Sequence, residues 1–243
     1  MRVALVTGGN RGIGMEVARG LAAAGHHVVI GSRNRATGQC VADDIVKQAG
    51  SAGAVQLDVT DATEVTAAAD RIGQAHGRLD VLVNNAGVLP EARGDAAEVI
   101  DVRLFRETFE TNLFGAVSVT EAFLPLLRAG DAGRIVNVST IMGSLTDQTD
   151  PSSPYYALTM PAYQASKAAL NNVTIALAKQ LVQTPIKVTS VCPGFVQTDL
   201  TPMNRSQAPL TAAQAAEIVI RAATLPAEAE SGTFVDADGP VPW

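Results

Sequence analysis

The chain has 243 residues, enough for one sizeable α/β domain with a substantial core. It is 47% hydrophobic and 17% charged, which excludes wholesale disorder, and a net charge of −6 without a basic cluster argues against a nucleic-acid partner. Two distant cysteines, Cys40 and Cys192, form neither a disulfide framework nor a metal cluster, so a reducing, cytoplasmic setting is expected, and no stretch is long and apolar enough to span a membrane.

The first predicted element is a strand at 3–6, Val3-Ala4-Leu5-Val6. Its apolar run stops at Thr7-Gly8-Gly9, too early for a secretory leader, so it reads as a buried strand. A turn containing Gly8, Asn10, Arg11, Gly12, Ile13 and Gly14 follows and opens a helix predicted at 13–24. Missing side chains let the backbone approach a pyrophosphate, and the helix N-terminus offers free N–H groups and a positive dipole end. A second strand, at 28–30, leads to Ser32-Arg33. A carboxylate there would suit a ribose 2′-hydroxyl; Arg33, together with Arg11, suits a 2′-phosphate instead. The expected cofactor is therefore NADP(H).

Further strands are predicted at 54–57, 81–83, 135–138, 186–191 and 233–235, and helices at 35–49, 61–76, 101–128, 162–182 and 211–224. Near-continuous apolar strands alternating with amphipathic helices predict a doubly wound parallel sheet with helices on both faces, in a single domain spanning 1–243. Segment 141–160 is rich in Pro, Ser and Asp and reads as an inserted surface loop beside the active site. Segment 197–210, with Pro202 and Pro209, reads as a substrate lid.

Tyr163 and Lys167 lie four apart and share a helix face. A free phenol, with a pKa of about 10, is a sluggish acid–base group at neutral pH. A neighbouring ammonium would lower that value and suit the phenol to proton transfer. His26, His27 and His76 lie near helix ends without a ligand pattern, so surface or capping roles are expected and no metal. Cys192 is expected to be inert.

These motifs occur in order with Asn84-Asn85-Ala86-Gly87, Asn112, Val136-Asn137-Val138-Ser139-Thr140 and Pro193-Gly194. The set resembles the short-chain dehydrogenase/reductase family, most closely its carbonyl reductases, over essentially the whole chain. The resemblance implies a Rossmann-type fold and reduction of a small ketone or aldehyde, reversible as alcohol oxidation. It makes Tyr163 the proton donor to the carbonyl oxygen. Lys167 tunes Tyr163 and bonds the nicotinamide ribose, and Asn112 holds a water linking Lys167 to solvent. Thr140, rather than Ser139, aligns with the family's carbonyl-orienting serine, and alternation along a strand lets only one of the two reach the site.

Asn85, Ala86 and Gly87 would line the cofactor, Asp58 and Val59 would border the adenine, and Pro193, Gly194, Val196 and Thr198 would meet the nicotinamide side. Departures from the family pattern are Thr140 itself, Gln164 after Tyr163, with packing consequences only, and the long step of 23 from Thr140 to Tyr163. The tail ending in Trp243 is distinctive too, and is expected to pack on the core or on a neighbouring subunit. Leu89, Ile141, Met142, Leu145, Tyr155, Tyr156, Phe195 and Leu200 are the expected apolar pocket wall. A ketoacyl thioester reductase and a non-catalytic NADP sensor are alternatives. The chain could be a monomer or a homodimer, Phe105, Phe109 and Phe114 offering an apolar helix face.

Overall fold

The computed structural model describes residues 1–94 and 100–243. The seven apolar runs become strands β1 (Val3–Thr7), β2 (His27–Ser32), β3 (Ser51–Gln56), β4 (Val81–Asn84), β5 (Arg134–Val138), β6 (Lys187–Val191) and β7 (Thr233–Val235). All pair in parallel, in the order β3-β2-β1-β4-β5-β6-β7. Successive side chains take opposite faces, so β1 feeds two cores. Ala4 and Val6 pack with Val17 and Leu21 of α1 (Gly12–Ala23), Ile45 of α2 (Arg35–Lys47) and Val219 of α9 (Ala212–Ala223). Val3 and Leu5 pack with Ile72 of α3 (Ala62–His76), Phe123 of α5 (Ala116–Arg128) and Leu181 beyond α7 (Pro161–Gln180). No described helix is long and apolar enough to cross a membrane.

The order places β2 on one side of β1 and β4 on the other, so the connections leave in opposite directions. A crevice opens there, outside the C-terminal strand ends.

A row of buried polar side chains crosses the sheet just below that crevice. Register pairs Asn84 with Asn137 and Asn137 with Ser190. Asn84 Nδ2 donates to Thr120 Oγ1 (3.0 Å) and to Asn137 Oδ1 (2.9 Å). Asn137 Nδ2 donates to Thr174 Oγ1 (2.8 Å), which lies 2.8 Å from Ser190 Oγ. The row therefore ties α5 and α7 to the middle of the sheet.

Three segments differ from expectation. The helix predicted at 101–128 is α4 (Val102–Phe109) and α5 joined by a π-helical turn, Glu110–Gly115. Such turns often mark functional sites. Segment 141–160 contains a 3₁₀ turn (Ile141–Gly143) and α6 (Leu145–Thr149), while 197–210 contains α8 (Asn204–Gln207).

Gln164 does more than pack. Its Nε2 donates to Leu158 O (2.9 Å) and to Gln148 Oε1, and its Oε1 accepts from Met160 N (3.1 Å). It thus pins the inserted segment to α7. The Trp243 ring stacks on Phe234 at 5.5 Å, and its carbonyl accepts from Thr146 N (3.1 Å) and Thr146 Oγ1 (2.8 Å). Of the surface and capping roles expected, His26 takes the second: it is buried, with Nδ1 3.1 Å from the Leu21 carbonyl in the last turn of α1, and burial holds it below the usual histidine range. His27 opens β2, its ring 4.6 Å from that of His76.

Candidate active site

The crevice is a cleft of about 520 Å³. Each wall segment begins where a strand stops. Gly8, Asn10, Arg11, Gly12, Ile13 and Gly14 follow β1, Arg33 follows β2, and Asp58 and Val59 follow β3. Asn85, Ala86 and Gly87 follow β4, Thr140 follows β5, and Pro193, Gly194, Val196 and Thr198 follow β6. Tyr163 and Lys167 enter from α7. Asn112 alone of the expected site residues does not line the cleft; it is buried, and its neighbour Thr111 faces the space instead.

The start of α1 fits a pyrophosphate. Arg11, at its N-cap, makes no side-chain cap, and the first turn holds no acidic residue. By contrast α2 and α3 are closed by Asn34 and Asp61. The N–H groups of α1's first turn thus keep their capacity for an anion. Thr7 Oγ1 accepts from Asn85 N and Ala86 N, each at 3.0 Å, and Asn85 Nδ2 donates to Thr7 O (2.9 Å). These bonds sew the turn after β1 to the one after β4. At Gly8, with φ +63°, a Cβ would sit 3.2 Å from Asn85 Nδ2, so the close approach requires glycine.

Arg33 stands exposed at the rim. Arg11 pairs across the mouth with Asp199 (3.6 Å), which also binds Arg205. The Arg205 bond, with smaller help from Arg11, holds the Asp199 carboxyl below the usual carboxylate range.

Where α7 meets the cleft, Tyr163 is 9% and Lys167 5% exposed. Lys167 Nζ donates to Val138 O (2.8 Å) and lies 5.8 Å from the Tyr163 ring centroid. Burial lowers Lys167 to about 8. Burial also raises the Tyr163 phenol, with a smaller push from Cys192. The expected lowering of Tyr163 by Lys167 is not seen, because burial dominates its environment.

Ser139 and Thr140 both contribute to the cleft wall. Strand alternation cannot choose between them, since β5 ends at Val138. Thr140 Oγ1 accepts from Met142 N (3.3 Å), whereas Ser139 Oγ is buried with no protein partner. The Cys192 thiol is raised by burial, in keeping with inertness.

Asn112 sits in the π turn with its side chain committed. Its Oδ1 accepts from Val88 N (2.8 Å), and its Nδ2 donates to Val88 O (3.0 Å) and Ser166 Oγ (3.2 Å). Ser166 Oγ in turn donates to Tyr163 O (2.8 Å). Ser32, Asn34, Thr37, Thr60 and Asn204 also line the cleft and were not foreseen. Ser32 ends β2 and Asn34 and Thr60 lie in the segments that follow β2 and β3, whereas Thr37 and Asn204 come from α2 and α8. Of the expected apolar wall, Leu200 borders the cleft, and Leu89 and Leu200 border an adjoining recess of about 560 Å³. Leu145, Tyr156 and Phe195 stand exposed on the flanking segments.

Comparison with known proteins agrees with this geometry. Residues 2–209 match the family model described as short chain dehydrogenase. The chain is 33% identical to (+)-neomenthol dehydrogenase of Arabidopsis thaliana, covering 96% of this chain and 95% of that one. It is 34% identical to salutaridine reductase of Papaver bracteatum, covering 97% and 94%. An NADPH-bound carbonyl reductase from chicken fatty liver superimposes with a TM-score of 0.84 at 26% identity, over 100% of both chains. A parallel sheet with its cleft at the strand reversal, a Gly-rich turn and a buried Tyr–Lys pair, together with these matches, establish that the chain belongs to the short-chain dehydrogenase family of oxidoreductases.

Proposed function

We propose that this protein is an NADPH-dependent reductase of ketones and aldehydes, reversible as an alcohol dehydrogenase. The observation that carries the reading is the buried Tyr163–Lys167 pair in a cleft whose rim presents Arg11 and Arg33. The relatives named salutaridine reductase and carbonyl reductase support it.

NADPH, when bound, supplies a hydride. Gly8, Gly12 and Gly14 would hold its pyrophosphate, Arg11 and Arg33 its 2′-phosphate, and Asp58 and Val59 its adenine. Asn85–Gly87 and Pro193–Thr198 would flank the rest. Tyr163 keeps its proton because burial raises the phenol, so it is poised as the acid that protonates the carbonyl oxygen. Lys167, lowered only to about 8, remains largely an ammonium at neutral pH and steadies negative charge developing at Tyr163. The Thr140 hydroxyl orients the carbonyl; threonine has the same donor and acceptor capacity as serine. Asn112 fixes Val88 and Ser166, and through them the cleft wall and the Tyr163 carbonyl.

The test is NADPH oxidation, with NADH in parallel, across aliphatic and aryl ketones, aldehydes and β-keto esters. The expected result is turnover that favours NADPH. Tyr163→Phe should lose about 10²–10⁴-fold in kcat while keeping cofactor affinity. Tight NADPH binding without turnover of any carbonyl would overturn the reading in favour of a sensor.

A further inference from the structure

We infer that Glu91 is the positioning residue for Tyr163, an inference that rests on the proposed role of Tyr163 as proton donor. It begins with a helix that cannot cap itself. Helices α2, α3, α4 and α9 are closed by their own N-cap side chains, Asn34, Asp61, Asp101 and Thr211. Helix α7 has Met160 at its N-cap, which bears no suitable acceptor, and Pro161 at its first position, which bears no N–H. The next two N–H groups, those of Ala162 and Tyr163, have no partner within the helix.

Both are taken by one carboxylate from a remote part of the chain. Glu91 Oε1 accepts from Ala162 N (3.0 Å), and Glu91 Oε2 accepts from Tyr163 N (2.8 Å). Glu91 belongs to a 3₁₀ turn, Pro90–Arg93, in the segment leaving β4. With Gln164 Oε1 on Met160 N, every orphan donor at this helix start is satisfied. A carboxylate at the positive end of the helix dipole makes these charge-assisted bonds.

The peptide of residue 163 is also held at its other end. Its carbonyl accepts from Ser166, Ser166 is held by Asn112, and Asn112 brackets Val88. Val88 and Glu91 lie three apart in the segment leaving β4, Val88 just ahead of the 3₁₀ turn. A closed circuit therefore runs from this segment through the π turn to α7 and back. It fixes the backbone from which the Tyr163 phenol projects, relative to a wall of the cleft. Glu91 touches no reacting atom; it acts through Tyr163.

The experiment compares Glu91→Gln and Glu91→Ala in the full chain, with Tyr163→Phe alongside. A displacement near 1 Å can cost about 10²-fold in rate, so Glu91→Ala should lower kcat about ten- to a hundred-fold with KM for NADPH within about twofold. Glu91→Gln keeps one acceptor oxygen and should fall between. Hydrogen exchange supplies a readout independent of turnover. Amides in the peptide spanning residues 160–167 should exchange faster in Glu91→Ala, and partly so in Glu91→Gln, with the other helices unchanged.

Parental kcat and exchange in both variants would overturn the inference. So would a uniform loss of protection across the chain with unchanged kcat, since that is what a merely structural role produces. If Glu91→Ala does not fold, Glu91→Gln decides by the same two readouts. If Tyr163→Phe retains the parental rate, the proposed role of Tyr163 fails. If Tyr163→Phe is inactive and the Glu91 variants are parental, only the role of Glu91 fails.

Discussion

Replacing Gly143 by alanine probes how closely the turn after β5 must approach α7. A Cβ at residue 143 would lie 2.8 Å from the Lys167 carbonyl carbon, 2.9 Å from Ala168 N and 2.9 Å from Lys167 Cβ. Carbon contacts are optimal near 3.5–4.0 Å, so turn and helix must part by about 0.7 Å. Two of the three neighbours are backbone atoms, and no side-chain rotation relieves them. Backbone strain is not at issue, since Gly143 is not among the positive-φ glycines. The turn starts at Thr140, whose carbonyl accepts from Gly143 N (2.9 Å), so displacement reaches Thr140 and Lys167 together. Overpacking of this kind costs about 1–3 kcal/mol. At about 2–4 °C per kcal/mol for a chain of this size, the melting temperature should fall by about 2–12 °C. The rate of NADPH oxidation should fall by up to about 10²-fold. Gly73→Ala is the control: its Cβ would meet only Leu126 side-chain atoms, at 3.4 and 3.9 Å, and should stabilise α3 by up to about 1 kcal/mol. Parental melting temperature and kcat in Gly143→Ala would refute the reasoning.

Stability should depend on pH in a direction set by burial. Between about 8 and the ordinary lysine value of 10.5, the unfolded chain binds a proton that folded Lys167 has shed, so stability rises by at most about 3 kcal/mol. Folded Cys192 and Tyr163 are both raised and keep protons that the unfolded chain loses above their ordinary values of 9.0 and 10.0, so these groups subtract stability there. Denaturant titration of Lys167→Met should lack the rise; a rise equal to the parent's would count against the assignment. Arg33→Ala should weaken NADPH binding about ten- to a hundred-fold, the worth of a charged bond of about 1.5–3 kcal/mol, and leave NADH within about twofold. Equal losses for both cofactors would exclude a 2′-phosphate role. Gln164→Ala should make residues 145–160 more open to limited proteolysis and cost about 1–3 kcal/mol, and an unchanged digestion pattern would show that the insertion is held elsewhere.

The strands were legible because both faces are buried, so Val28-Val29-Ile30 and Ile135-Val136 read as unbroken apolar runs. The residues expected beside the cofactor could be picked out because they fall in the segments that follow strand ends, and those segments meet at one cleft. What stayed hidden depends on chain segments far apart. The π turn around Asn112 leaves no mark in the sequence of 101–128, since no proline precedes Pro125 there to signal a break in the helix. Glu91 looked like an ordinary charge in a loop, because nothing near it in sequence names Ala162 and Tyr163 as its partners. The direction of the Tyr163 shift was missed for a related reason. Spacing shows the lysine on the same face, but only packing shows how little water remains.

The row from Thr120 through Asn84, Asn137 and Thr174 to Ser190 bears on how such a protein can change. Losing any one member strands a buried neighbour, at about 1–3 kcal/mol, whereas exchanging matched partners together for apolar groups of like shape can be nearly neutral. The intermediates between these two solutions are all less stable than either end. Stepwise substitution is therefore disfavoured, and these positions should change together or not at all. Attempts to diversify the pocket above them would do best to leave the row whole and spend substitutions on the pocket's exposed border, at Leu200, where a side chain can vary alone.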